Sequence, residues 1–293
     1  VRRRRRIGPS WWFVLPAVLL YGAMWVYPTL SGVRYAFTDW NGLDPHTRFV
    51  GLANFRRMAQ DEQVTSAIPT TLLLAACIVV LKIGLGLLLA LALNRPLRTR
   101  GTLRTVFFLP VILTPVIMAF VWKYIYGNAG ALNQLLDTVG LHGWREPWLG
   151  TPHLALASIV VVSTWQTAGL AMVIFLAGLQ GVPRELVEAA MLDGASPWHC
   201  FRHITLPMLA PAITVNAVIA LIHGLRIFDQ VYVLTEGGPG YATETIATAI
   251  YKIAFQFAEY GYGSSLSLVF AAVVAAAVFT TAWVLRRREL AIA

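Results

Sequence analysis

Few residues in this sequence stand where side-chain chemistry could be done. His199 and His203 are four apart, which puts two imidazoles on one face of a helix at a metal-binding spacing. No third ligand lies near them in sequence, so the pair reads as part of a surface. Arg226 and Asp229 are three apart inside an apolar run, one helical turn, and could form an ion pair. Ionisable groups in such a run are functional candidates by default. His223, just before them, reads as a hydrogen-bonded interior imidazole. Lys82 interrupts another apolar run, where insertion costs about 3 kcal/mol, so its ammonium must reach an interface or face protein. Cys77 lies in an apolar run and Cys200 in a polar one, a poor disulfide pair, and no C-x-x-C or H-E-x-x-H is present. The lysines, Lys82, Lys123 and Lys252, precede Ile, Tyr and Ile, so no G-x-x-x-x-G-K-[ST] phosphate loop can be built. The chain is expected to hold no metal or cofactor and to catalyse nothing itself.

The elements that must position these residues are mostly apolar. Of 293 residues, 57% are hydrophobic and 13% charged. The apolar residues come in runs of about 20, the length that crosses a bilayer. The net charge of +9 would suit nucleic acid, but the basic residues sit at the ends of apolar runs. The sequence therefore predicts an all-α integral membrane protein, one domain over residues 1–293, with six transmembrane helices near 11–30, 68–93, 106–126, 154–179, 212–233 and 266–285. Arg2–Arg6, Arg95, Arg98, Arg100, Arg104, Arg184, Arg202 and Arg286–Arg288 fall on one side of that layout. The positive-inside rule makes that side, and both termini, cytoplasmic. Arg2–Arg6 resembles the start of a signal peptide, but the run after it is too long and lacks a small-residue cleavage site, so it reads as an uncleaved span. Pro110 and Pro115 should kink the third span. Short helices are expected around Leu52–Ala59 and over Ala131–Val139.

Between the fourth and fifth spans lies a polar loop, 181–210, built from helix signals. Pro183, Glu185 and Glu188 favour a helix start. Asp193-Gly194 stops that helix, Ser196-Pro197 begins another, and Pro207 and Pro211 should break the chain again. A helix, a sharp turn and a second helix at a membrane surface make a shape that suits docking into another protein.

Glu188-Ala189-Ala190, then Asp193-Gly194, then Ile204, Leu206 and Pro207 resemble the EAA loop of ABC-importer permeases. Phe49-Val-Gly51-Leu-Ala-Asn54-Phe55 resembles an F-x-G-L-x-N-F element of sugar permeases. Phe228-Asp229-Gln-Val-Tyr-Val-Leu234-Thr235-Glu-Gly237-Gly238-Pro239 resembles their F-D-x-x-Y-x-L-T-x-G-G-P element. With these motifs the whole chain resembles the permease subunits of bacterial, binding-protein-dependent carbohydrate ABC importers, the MalF-like family. The resemblance implies the type I importer permease fold and a multi-pass place in the bacterial cytoplasmic membrane. Glu188 and its neighbours would couple transport to an ATPase. The implied partners are a second homologous permease, two ATP-binding cassette subunits holding ATP and Mg, an extracytoplasmic solute-binding protein, the sugar and the bilayer, with no nucleic acid.

Carried over from the same anchors, the positions matching the family's transmembrane sugar site are Ser163, Gln166, Thr167 and Leu170 on the fourth span, and His223, Gly224 and Ile227 on the fifth. Trp165, Arg226, Phe228 and Asp229 are neighbours of suitable chemistry, since sugars need stacked aromatics and hydrogen-bond partners once desolvated. A permease for glycerol phosphate or another small polar solute is the alternative; it would want a basic cluster, for which Arg226 is the sole candidate. A secondary transporter would need inverted repeats and proton relays, and neither is visible.

Overall fold

The computed structural model describes residues 11–44 and 47–292. Arg2–Arg6 lie outside them. Among the described residues the chain is helical, and its β-type pairing is one isolated antiparallel bridge between Thr38 and Phe49. Contacts divide the chain into two compact units. One holds residues up to Gln60 with Ile250–Phe270; the other holds Asp61–Ala249 with the residues from Ala271 on.

In the first unit, α1 (Leu15–Tyr21) passes through a π-helical turn, Gly22–Val26, into α2 (Tyr27–Tyr35). Val18, Leu19, Leu20, Met24 and Trp25 are exposed on this path, a surface that needs an apolar surrounding. The short helix α3 (Ala53–Met58) follows. Asn54 has a structural task there: its amide donates to the Ala36 and Thr38 carbonyls at 3.1 and 2.9 Å, pinning α3 beneath the end of α2. Arg57 pairs with Glu259 at 2.7 Å and lies over the Tyr262 ring.

The second unit carries the functional region. Asp61 caps α4 (Glu62–Leu93), its carboxylate accepting from the Gln63 and Val64 amides. Arg104 closes the other end by donating to the Leu93 carbonyl at 2.9 Å, a cation where the helix dipole wants one. Then follow α5 (Arg100–Ile112), α6 (Pro115–Ile125), α7 (Ala131–Thr138) and α8 (Pro152–Gln180). Next come α9 (Arg184–Leu192), α10 (Pro197–Cys200), α11 (Leu206–Met208), α12 (Ala210–Leu225) and α13 (Asp229–Thr235). The last two, α14 (Ile246–Tyr251) and α15 (Tyr260–Ile292), each have residues in both units.

α4, α8 and α12 pack into a bundle around two apolar clusters. One gathers Leu74, Ile78, Ile159, Val162, Ile227 and Val231; the other gathers Met172, Phe175, Leu176, Leu179 and Leu209. Small residues let the backbones meet. A Cβ on Gly86 would stand 2.5 Å from the Ala171 Cβ, and one on Gly224 would stand 2.8 Å from the Ala75 Cα. Such close approach is how helices gain packing energy where lipid removes the hydrophobic drive between them.

Among the described residues, three helices are long and apolar enough to cross a membrane: Glu62–Leu93, Pro152–Gln180 and Tyr260–Glu289. Two further pairs qualify only jointly. Arg100–Ile112 with Pro115–Ile125 is bent by 99°, and Pro197–Met208 with Ala210–Leu225 by 65°. The run 106–126, expected as a kinked span, is thus two helices at a right angle. Pro115 holds Thr114 extended (ψ 141°) and then serves as the first residue of a new helix. The run 212–233 is also divided: α12 stops at Leu225 and α13 begins at Asp229. Pro207 does not break the chain; it lies inside helical structure, preceded by a π-helical turn at Phe201–Thr205.

Candidate functional site

The loop between α8 and α12 is built as two helical arms around one turn. α9 ends in a Schellman motif, in which the Ala195 amide donates to the Ala190 carbonyl at 2.9 Å and the Gly194 amide to the Met191 carbonyl at 3.1 Å. Gly194 supplies the left-handed residue that this motif needs (φ 88°). Ser196 then caps α10 by accepting from the His199 amide. The third residue of the EAA triplet therefore provides the carbonyl that closes the turn. Ile204, Leu206 and Pro207 lie half-buried on the return arm, where the helical path runs on to Met208.

α9 has no buried residue, and Glu188, Ala189 and Asp193 are exposed. Glu188 has no ion-pair or hydrogen-bond partner among the described residues. Leu186, Met191, Leu192 and Trp198 are apolar and exposed around it, Leu192 at 89%. Beside Glu188 lies a groove of about 650 Å³ lined by the ends of α4 and α8 with α9, Phe201 and Thr205. His199 and His203 stack at 4.1 Å, with the His203 Nδ1 within 3.1 Å of the His199 carbonyl. Among the described residues, no three His, Cys, Asp or Glu side chains converge to hold a metal ion.

The second candidate region is a cavity of about 390 Å³ where both helix breaks meet. It is lined by Pro115 at the start of α6, Ile219, Ile222 and His223 on α12, and Arg226, Ile227, Phe228, Asp229 and Gln230 across the α12–α13 break. His223, Arg226, Phe228 and Asp229 are thus brought together. Arg226 and Asp229 do not share a helix: Arg226 caps α12 and Asp229 opens α13, and no ion pair joins them. The cavity offers one cation, one anion, one aromatic ring, an imidazole and an amide on otherwise apolar walls. That set can hydrogen-bond and stack against a neutral polyol without imposing a net charge on it.

The α8 candidates are elsewhere. Ser163 is buried, with its hydroxyl unpaired and its carbonyl accepting from the Thr167 Oγ1 at 2.8 Å. Trp165 meets Trp122 of α6 edge-on at 5.5 Å. Leu170 is half-buried, while Gly224 packs on Ala75. None of these lines the cavity. Gln166 is buried and bonds at both ends of its amide: Nε2 donates to the Leu113 carbonyl at 3.0 Å, and Oε1 accepts from the Gln230 Nε2 at 3.0 Å. Lys82 is 1% exposed on α4. Pro115 was singled out in sequence as a kink residue and not as part of a site, and Ile219, Ile222 and Gln230 were not singled out at all. Gln230 lay in view inside the Phe228–Pro239 element, but the two isoleucines carried no signal.

Comparison with known proteins agrees with this architecture. Residues 82–289 match the family described as binding-protein-dependent transport system inner membrane component. The chain is 33% identical over 281 residues to AmyD of Thermoanaerobacterium thermosulfurigenes, a probable starch degradation products transport system permease, covering 96% of this chain and 94% of that one. It is 37% identical over 226 residues to the trehalose/maltose transport system permease MalF of Thermococcus litoralis, covering 77% and 76%. Among solved structures it superposes with a TM-score of 0.81 and 28% identity, over 94% of both chains, on a bacterial ABC transporter involved in the import of the acidic polysaccharide alginate. With an all-helical fold, an exposed EAA turn and a family match across most of its length, the chain belongs to the inner membrane components of binding-protein-dependent transport systems.

Proposed function

We propose that this chain is one transmembrane subunit of an ATP-driven importer of sugars, oligosaccharides in particular, in the bacterial cytoplasmic membrane. The observation that carries the coupling half of this reading is the α9 turn. An unpaired carboxylate, Glu188, stands among exposed apolar side chains on a helix that buries none of its own residues. An apolar patch of this kind, rimmed by charge, is a protein-docking surface. Its partner is the ATPase, with Glu188 facing a basic residue there; ATP and Mg belong to two such subunits, and this chain performs no hydrolysis. The path runs through six spans with both termini cytoplasmic, the divided runs 106–126 and 212–233 each counting once. A second homologous permease supplies the other half of the pathway, and an extracytoplasmic binding protein delivers the solute.

For the solute, the balanced charges of Arg226 and Asp229 favour a neutral sugar over a phosphate ester, and Phe228 offers a stacking face. Relatives named for starch degradation products and for trehalose/maltose support that class. The test is to purify the complex with its ATPase and compare wild type with Glu188→Ala, in the presence of binding protein and candidate oligosaccharides. Uptake and sugar-stimulated ATP hydrolysis should collapse in the variant while the subunits stay together. Failure of any ATPase to co-purify, or an indifferent variant, would overturn the coupling role.

A further inference from the structure

We infer that Gln166 is a positioning residue that ties the middle of α8 to both helix breaks around the cavity, so that movement of the coupling arm reaches the cavity wall. The inference rests on the importer reading above. The bonding pattern admits one orientation of the amides. The Leu113 carbonyl can only accept, so the Gln166 group facing it is the NH₂. The Gln166 oxygen is then turned to Gln230, whose NH₂ donates to it. Both side chains are nearly fully buried, at 3% and 2% exposure, so each bond forms where no water can replace it.

Each end of this relay lies at a discontinuity. Leu113 is the last residue before the 99° bend, where Pro115 prevents α5 from continuing. Its carbonyl receives no backbone donor from α6, whose first such bond runs from the Met118 amide to Thr114. Gln230 is the second residue of α13, next to the α12–α13 break, and it lines the cavity with Pro115. One side chain on α8 therefore holds both edges of the opening. α8 itself runs unbroken from Pro152 to Gln180 and leads within a few residues into α9 and Glu188. Gln166 sits about 21 Å up that rod from its cytoplasmic end, at 1.5 Å per residue. A tilt of α9 would be carried along α8 and delivered to both walls at once. The same geometry argues against Gln166 as a sugar contact, since it is absent from the cavity lining and both ends of its amide are engaged.

The test uses the full complex with binding protein, reading both uptake and ATP hydrolysis. Gln166→Leu removes both bonds; Gln230→Leu removes one and leaves the Leu113 bond in place. Sugar imported per ATP hydrolysed should fall about tenfold in Gln166→Leu, a loss of the size usual for coupling between two sites. The drop in Gln230→Leu should be smaller, and the double variant no worse than Gln166→Leu, because all three cut one relay. A rise in KM for the sugar-loaded binding protein at an unchanged ratio would overturn the inference in favour of a sugar contact. A parallel loss of uptake and hydrolysis, tracking folded complex, would reduce Gln166 to a packing residue. If Gln166→Leu does not assemble, the ratio in Gln230→Leu decides alone: a fall supports the relay, no change overturns it. A wild-type complex that imports no sugar defeats the importer reading instead. The tie is then judged by amide exchange, which Gln166→Leu must speed over 113–118 and 228–232 if the relay exists.

Discussion

The turn at Gly194 and the bend at Leu113 both redirect a helix, yet they are closed by opposite means. At Gly194 all the bonds are backbone bonds made within six residues, and the one special requirement is a left-handed φ. The turn faces solvent and could form before the rest of the chain has packed. At Leu113 the freed carbonyl is closed by Gln166, 53 residues further on. The companion break after α12 follows the same rule, with the buried Thr245 hydroxyl donating to the Ile227 carbonyl at 3.1 Å. These two breaks hold only while the bundle holds. A self-sufficient turn suits a surface that must present one shape to a partner. A break closed from a distance suits a wall that has to move with its neighbours.

The contrast can be attacked from its buried side first. Thr245→Val leaves the Ile227 carbonyl unsatisfied inside the protein and should cost about 1–3 kcal/mol. Thermal unfolding in detergent should show it as a lower midpoint for the whole bundle; an unmoved midpoint would mean the break needs no distant partner. Gly194→Val forces a β-branched residue to positive φ at about 1–2 kcal/mol. Here hydrogen exchange should rise at Ala195 and along α9 while exchange in α4 and α8 stays slow, and a global loss of protection would erase the distinction. Ser196→Ala removes the α10 cap, worth about 1 kcal/mol, and should loosen the return arm alone. Gly194→Asn, a residue that tolerates the left-handed region, should cost less than about 1 kcal/mol and keep coupled uptake close to wild type. If asparagine proved as damaging as valine, backbone conformation would not be what Gly194 contributes.

What could be read in the sequence follows the same division. Glycine after Asp193, serine before Pro197 and the acidic first turn of α9 all act through neighbours in the chain, and the loop was legible from them. Pro115 was visible too, but its consequence was not. A proline in an apolar run signals a kink, whereas here the chain turns by 99° and the Leu113 carbonyl is met by Gln166 from α8. Gln166 therefore read as a ligand to solute, when its bonds are to Leu113 and Gln230. Arg226 and Asp229 read as one helical turn apart because the run from 212 to 233 is mostly apolar and long enough to be one helix, although it is divided after Leu225. In the break beyond α12 the Ile227 carbonyl is met by Thr245, in a loop that follows. Asn54 is the converse case, where motif and structure meet in two bonds to backbone carbonyls.

The glycine crossings have a mechanical consequence. Gly86 seats against Ala171, and Gly224 against Ala75, with no room for a Cβ between them. On its own helix face Gly86 has Ile83 and Leu89 one turn away, and Gly224 has Leu221. Sliding α4 along either neighbour toward the next turn would push a larger side chain toward a seat cut for a hydrogen atom. Tilting about the crossing meets no such obstacle. The crossings of these three helices therefore favour pivoting over sliding, a change of angle about two close contacts.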